Sequence, residues 1–216
     1  MKRRELSMEF GKTSGMLFTI CEWITRLAYV NLLWLLFSAA GMFVWGIMPS
    51  TVALFTVVRK WLLKETGIPV WNTFWKTYRK EFLRANLLGL LLLIPAVLVA
   101  IDLMFLKTVA GPLQIALFIP LWTLILCYLL TLLFLFPVYV HYRAGMIDSI
   151  KYSWFHAVLN PHRSVIMLVA VAAVIFLNLY MTALIPFFSG VMIAAVLMTG
   201  GYHSFNRIKR KTVTQN

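Results

Sequence analysis

The chain has 216 residues, 62% of them hydrophobic and 12% charged, with a mean hydropathy of +0.85. Soluble domains carry about a quarter charged residues, so these proportions exclude an ordinary soluble enzyme or binding module. Twenty Lys and Arg against seven Asp and Glu give a formal charge of +13, which in so apolar a chain points to loops facing anionic lipid.

The polar head, residues 1–15, contains Glu5 and Glu9 and is too long for the n-region of a cleavable signal. The first apolar segment is therefore expected to direct insertion itself. Over 14–26, Met16, Ile20 and Trp23 share one helical face with Leu27, and Glu22 and Thr25 lie opposite. That pattern predicts an amphipathic helix at the membrane surface. Glu22 and Arg26 have the i,i+4 spacing of a helical ion pair.

A first span is predicted at 27–45, with Asn31 inside it. The glycine and proline of Gly46–Ser50 break the run. A short apolar segment follows at 49–63, with Arg59, Lys60 and Trp61 suited to anchoring its end at the interface. The next stretch, 70–84, alternates aromatic and basic residues, which also occurs in single-stranded nucleic-acid sites. At 100° per residue, Trp71, Phe74, Trp75, Tyr78 and Phe82 fall within an arc of about 100°. Thr73, Lys76, Thr77, Lys80 and Arg84 lie opposite. A nucleic-acid groove would use both residue kinds on one surface, so the separation predicts a second interfacial helix, and no nucleic-acid partner is expected.

Spans are predicted at 85–106, with Asn86 and Asp102, and at 113–140. A third amphipathic helix is predicted at 147–160, with Ile147, Ile150, Trp154 and Val158 on one face and Ser149, Ser153 and His156 opposite. Spans at 164–185, containing Asn178, and 189–205 complete the series. In the last, Gly190 with Ala194 and Ala195 with Thr199 place small residues four apart, a spacing that lets another helix approach closely.

Charge decides whether the short segments 49–63 and 189–205 cross. Lys and Arg are enriched in cytoplasmic loops close to the spans. If both cross, every Lys and Arg except Lys107 falls on the inner side. If 49–63 does not, one of two dense basic clusters is placed outside. The sequence therefore predicts an all-α membrane protein of one domain, residues 1–216. It has six transmembrane segments as three helical hairpins, each preceded by an interfacial helix, and both termini are cytoplasmic. The recurrence of helix and hairpin reads as a degenerate threefold repeat. The location expected is a membrane, with its anionic inner leaflet as one partner.

The chemistry visible in the sequence is sparse. No paired titratable groups lie within the spans, and no P-loop, GxSxG or HExxH is present. The four histidines share no metal-ligand spacing with a Cys or carboxylate. No catalytic residue, cofactor or metal is expected, and Cys21 and Cys127 are expected to lie at different depths. Asn31, Asn86 and Asn178 are the intramembrane polar candidates, either as packing hydrogen bonds or as the lining of a solute path. Trp71, Phe74, Trp75, Tyr78, Phe82 and Trp154 are the interfacial or partner-docking candidates.

Four stretches carry a resemblance: RLAYVNLLWLLFSAAG (26–41), GIMPSTVALFTVVRKWL (46–62), TFWKTYRKEFLRANLLG (73–89) and NLYMTALIPFF (178–188). Together they closely resemble the YesL-like family of small bacterial membrane proteins, over about residues 18–211. Members are typically found beside carbohydrate ABC importers and polysaccharide-utilisation systems. The resemblance implies a non-enzymatic accessory role, as a partner or assembly factor of such an importer, and supplies no catalytic residues. The EAA-type coupling signature of importer permeases is not seen. The alternative expectation is an autonomous transporter or channel for a small neutral solute.

Overall fold

The computed structural model describes residues 2–108, 110–142 and 145–213, with side chains described for 18–108, 110–142 and 145–205. Among the described residues there are seven α-helices, one 3-10 turn and no strand. The helices are α1 (Lys2–Ala40), α2 (Ile47–Leu62), α3 (Val70–Leu106), α4 (Pro112–Tyr142), α5 (Met146–Leu159), α6 (Pro161–Tyr180) and α7 (Ile185–Val213). The 3-10 turn, Thr182–Leu184, joins α6 to α7.

Most breaks, though not that between α6 and α7, fall at a glycine or proline. Between α1 and α2 the chain reverses over 41–46, with Met42 and Phe43 at φ of 55° and 59°. The backbones of Gly41 and Gly46 touch there, and a Cβ on either would strike the other. Proline precedes or opens several helices, at Pro69, Pro112 and Pro161. Its fixed φ and missing N–H are tolerated in a first turn.

Among the described residues, five helices are long and apolar enough to cross a membrane: Phe18–Ala40 within α1, all of α3, α4 and α6, and Thr182–Phe205 leading into α7. Most of the surface of each is left uncovered by the rest of the chain, and Leu83, Leu90, Ile115, Ile119, Phe176 and Leu179 project outward. Such surface requires lipid. The chain is an all-helical membrane protein.

α2 is shorter, at 16 residues, and nine of them are buried. It is the axis of the bundle. α3 packs along it most extensively, and α1, α4 and α7 close around it. Phe55 stacks on Phe136 of α4 with ring centroids 5.2 Å apart. In lipid, such contacts stabilise through packing, not through removal of surface from water.

The predicted boundaries shift in several places: α1 ends at Ala40, and the break before the last segment falls at 181–184, so Pro186 and Gly190 lie within α7. Stretches 14–26 and 70–84 are not separate helices; they are continuous with the apolar segments that follow, inside α1 and α3. Neither stretch contains a residue that stops a helix, so hydrogen bonding carries straight through. α3 has 37 residues and a length of about 55 Å at 1.5 Å per residue, against a hydrocarbon core of about 30 Å. Only the third amphipathic stretch stands alone, as α5, because Gly145 precedes it and Asn160-Pro161 ends it.

Candidate functional site

Among the described residues, a polar cavity of about 740 Å³ lies between α2, α3, the end of α4 and the start of α5. Five cations line it: Arg59 and Lys60 from α2, and Lys76, Lys80 and Arg84 from α3. The α3 residues follow one another at i,i+4, which puts them on one face of the helix. Like charges at that spacing repel. Arg59 and Lys60 occupy the last turn of α2, where cations favour the negative end of the helix dipole.

Among the described residues, Glu81 is the one acidic side chain on the wall. The buried Tyr139 hydroxyl donates to its Oε2 at 2.7 Å, tying α4 to α3. Val52, Val140 and Met146 supply apolar wall. Gly145 and Met146, at the N-terminus of α5, also reach the cavity, and no side chain among the described residues caps that end.

The aromatic face opposite those cations packs on the chain itself. Phe37 of α1 lies 5.0 to 5.7 Å, centroid to centroid, from Trp71, Phe74, Trp75 and Tyr78. Phe74 and Tyr78 are buried, and Tyr78 donates to the Phe37 carbonyl at 3.3 Å. Trp71 and Trp75 remain half-exposed, and Arg79 sits over the Trp75 ring at 5.5 Å. Phe82 is partly buried against Tyr78. The rings expected at the lipid surface therefore join α3 to α1, because Phe37 offers a closer apolar partner.

The asparagines separate. Asn31 is fully buried; its Nδ2 donates to the Pro186 carbonyl at 2.8 Å and its Oδ1 accepts from the Val191 N–H at 3.0 Å. It thus bridges α1 to the first turns of α7. Gly190 makes this approach possible, since a Cβ there would lie 3.1 Å from Asn31 Oδ1 and from the Trp34 ring. Asn86 and Asn178 each donate to their own helix, at Phe82 and Val174. None of the three lines the basic cavity. Ala194 is fully buried, Ala195 partly, and Thr199 is exposed.

Comparison with known proteins places the chain. Residues 27–103 match the family model described as protein of unknown function, DUF624. Three proteins of Bacillus subtilis (strain 168), each described as uncharacterized, are similar over most of their length. YteU is 38% identical, covering 84% of this chain and 82% of its own. YesL is 31% identical, covering 88% and 90%, and YesV is 31% identical, covering 88% and 92%. The chain belongs to the YesL-like family. No solved structure matches it. The matched residues of this YesL-like chain include all five cavity cations, Glu81 and the ring cluster.

A second polar cluster grows from the polar face of the third amphipathic stretch, whose burial was not read in the sequence. On α5, Ser149, Ser153 and His156 are buried, while Ile147, Phe155, Val158 and Leu159 are exposed. Trp154 is half-exposed on that outer side. His156 contacts the Tyr142 hydroxyl and Ser204 Oγ, each at 3.4 Å, and Asn160 Nδ2 donates to Ser204 Oγ at 3.0 Å. Burial pushes the His156 imidazole below its ordinary pKa. The serine, serine, histidine, asparagine series at helical spacing was the available signal. Among the described residues, Glu22 and Arg26 form an ion pair at 2.6 Å, whereas Asp102 and Lys107 do not pair. No group of three or more His, Cys, Asp or Glu could hold a metal among the described residues. Cys21 and Cys127 are both free.

Proposed function

We propose that this chain is a non-enzymatic integral membrane accessory protein, a partner or assembly factor of a bacterial carbohydrate ABC importer in the cytoplasmic membrane. The observation that carries the reading is the distribution of polar surface. The connectors between α1 and α2, α3 and α4, and α6 and α7 are short and carry Lys107 as their one charged residue. They leave little surface on which to select an external substrate. Basic residues instead gather around one cavity between α2 and α3.

In this reading six segments cross, α2 included, as three hairpins with both termini cytoplasmic. Under the positive-inside rule, the cavity then opens on the cytoplasmic side, next to the anionic inner leaflet. α5 lies in the interfacial plane with its exposed apolar face in lipid, and the partner contacts the bilayer-embedded surface or the basic face. The importer itself enters from the surroundings typical of the family. A neutral-solute path through Asn31, Asn86 and Asn178 has less support, since both polar ends of Asn31 are used between α1 and α7.

Affinity purification of the tagged chain from its native membrane tests the partnership. An importer permease or ATPase subunit is expected to co-purify. Recovery of the chain with no importer component, with and without chemical crosslinking, contradicts it.

A further inference from the structure

The basic cavity has the makings of a binding site, independent of any importer. Its cations come from two helices, so their convergence is a property of the fold. Lys76, Lys80 and Arg84 form a column of like charges, an arrangement that costs stability unless an anion sits against it. Arg59 and Lys60 face them from α2. Glu81 offsets one of the five positive charges and is held against the wall by Tyr139.

The N-terminus of α5 adds backbone donors. Gly145 and Met146 line the cavity, and the first-turn N–H groups of this 14-residue helix have no side-chain cap among the described residues. Uncapped N–H groups and the positive end of a helix dipole favour anions, phosphate above all. Asp148, the acid of that first turn, does not line the cavity, but its Oδ2 lies beside Gly145 and offsets part of that positive helix end. A volume of about 740 Å³ lies in the range of small-molecule sites, roughly 300–1,000 Å³. It exceeds what bare phosphate would fill, and apolar Val52, Val140 and Met146 leave room for a substituent.

We infer that this cavity binds a phosphate ester, with the phosphate held by Lys76, Lys80 and Arg84 of α3, Arg59 and Lys60 of α2, and the N-terminus of α5. The source is either an anionic phospholipid headgroup or a soluble phosphorylated solute.

The test uses the full chain purified in a neutral detergent. Native mass spectrometry compares retention of dioleoylphosphatidylglycerol with zwitterionic dioleoylphosphatidylcholine. Calorimetry compares glucose 6-phosphate with glucose. Selective retention of phosphatidylglycerol identifies the lipid source, and selective binding of glucose 6-phosphate the soluble one. Lys80 and Arg84 are exposed, so K80Q/R84Q is expected to fold and to lose at least tenfold in affinity for whichever probe binds. K107Q, at the far end of α3, is expected to leave binding unchanged. E81Q keeps an acceptor for Tyr139 and removes the opposing charge, so it is expected to bind at least threefold more tightly, a gain that misfolding cannot imitate. Absence of selectivity for either phosphate probe overturns the inference. An equal loss in K107Q, or no gain in E81Q, also overturns it.

Discussion

Single residues hold the α1 packing together by two different means. Phe37 is buried amid four rings of α3, so its removal leaves a cavity that neighbouring helices fill poorly. Phe37→Ala is expected to cost about 3 kcal/mol, the lower end for buried aromatics, read as a lowered thermal midpoint in detergent. Asn31 bonds at both ends to α7. Asn31→Leu removes both of these bonds between α1 and α7 and is expected to cost about 1–2 kcal/mol in the same assay. Gly190→Leu, which pushes α7 away from Asn31 and Trp34, is expected to destabilise the same seam. Asn31 was legible in advance because an amide inside an apolar run must find a partner. Phe37 was not, because an aromatic among apolar residues carries no mark that separates lipid-facing from packed.

At the scale of elements, amphipathicity was readable but its direction was not. The two faces of 70–84 separate as the pattern requires, yet the aromatic face packs on α1 and the basic face lines a cavity. Periodicity reports that two faces differ; it does not report what each one meets. α5 inverts the usual soluble arrangement, with serines and His156 inside and Ile147, Phe155 and Val158 outside. A helix bordered by lipid on one side and by the polar ends of α4 and α7 on the other is stable that way round. His156 gives this packing a pH dependence. Its folded pKa is depressed by burial, whereas the unfolded imidazole titrates near its ordinary value of about 6.5. Above that value both states are neutral and the stability is fully present. As pH falls below it, the unfolded chain takes up a proton that the folded chain resists, and stability is lost. Thermal midpoints in detergent are therefore expected to fall between pH 7.5 and 5.5, with a smaller fall in His156→Gln. Equal slopes in the two proteins would assign the effect elsewhere.

At the scale of the whole molecule, hydropathy and charge were readable because lipid imposes them on long stretches of chain. Helical content and five helices apolar enough to cross follow from that constraint, whereas the family was legible in four particular stretches of sequence. The central place of α2 does not. Its sixteen residues look like a marginal span in sequence, whereas in the bundle they are the buried axis. Nor was the cavity visible, since Tyr139 and Glu81 are 58 residues apart and meet only when α4 returns beside α3. The proposal that the cavity faces the cytoplasm rests on α2 crossing the membrane. Cysteine labelling in intact cells tests it most directly, with single cysteines at Lys76 and Gly111 in a C21A/C127A background and a membrane-impermeant maleimide. Labelling at 111 alone from outside, with 76 reached only after permeabilisation, is the expected result. Labelling of 76 from outside, with or without 111, would contradict six crossings and a cytoplasmic cavity.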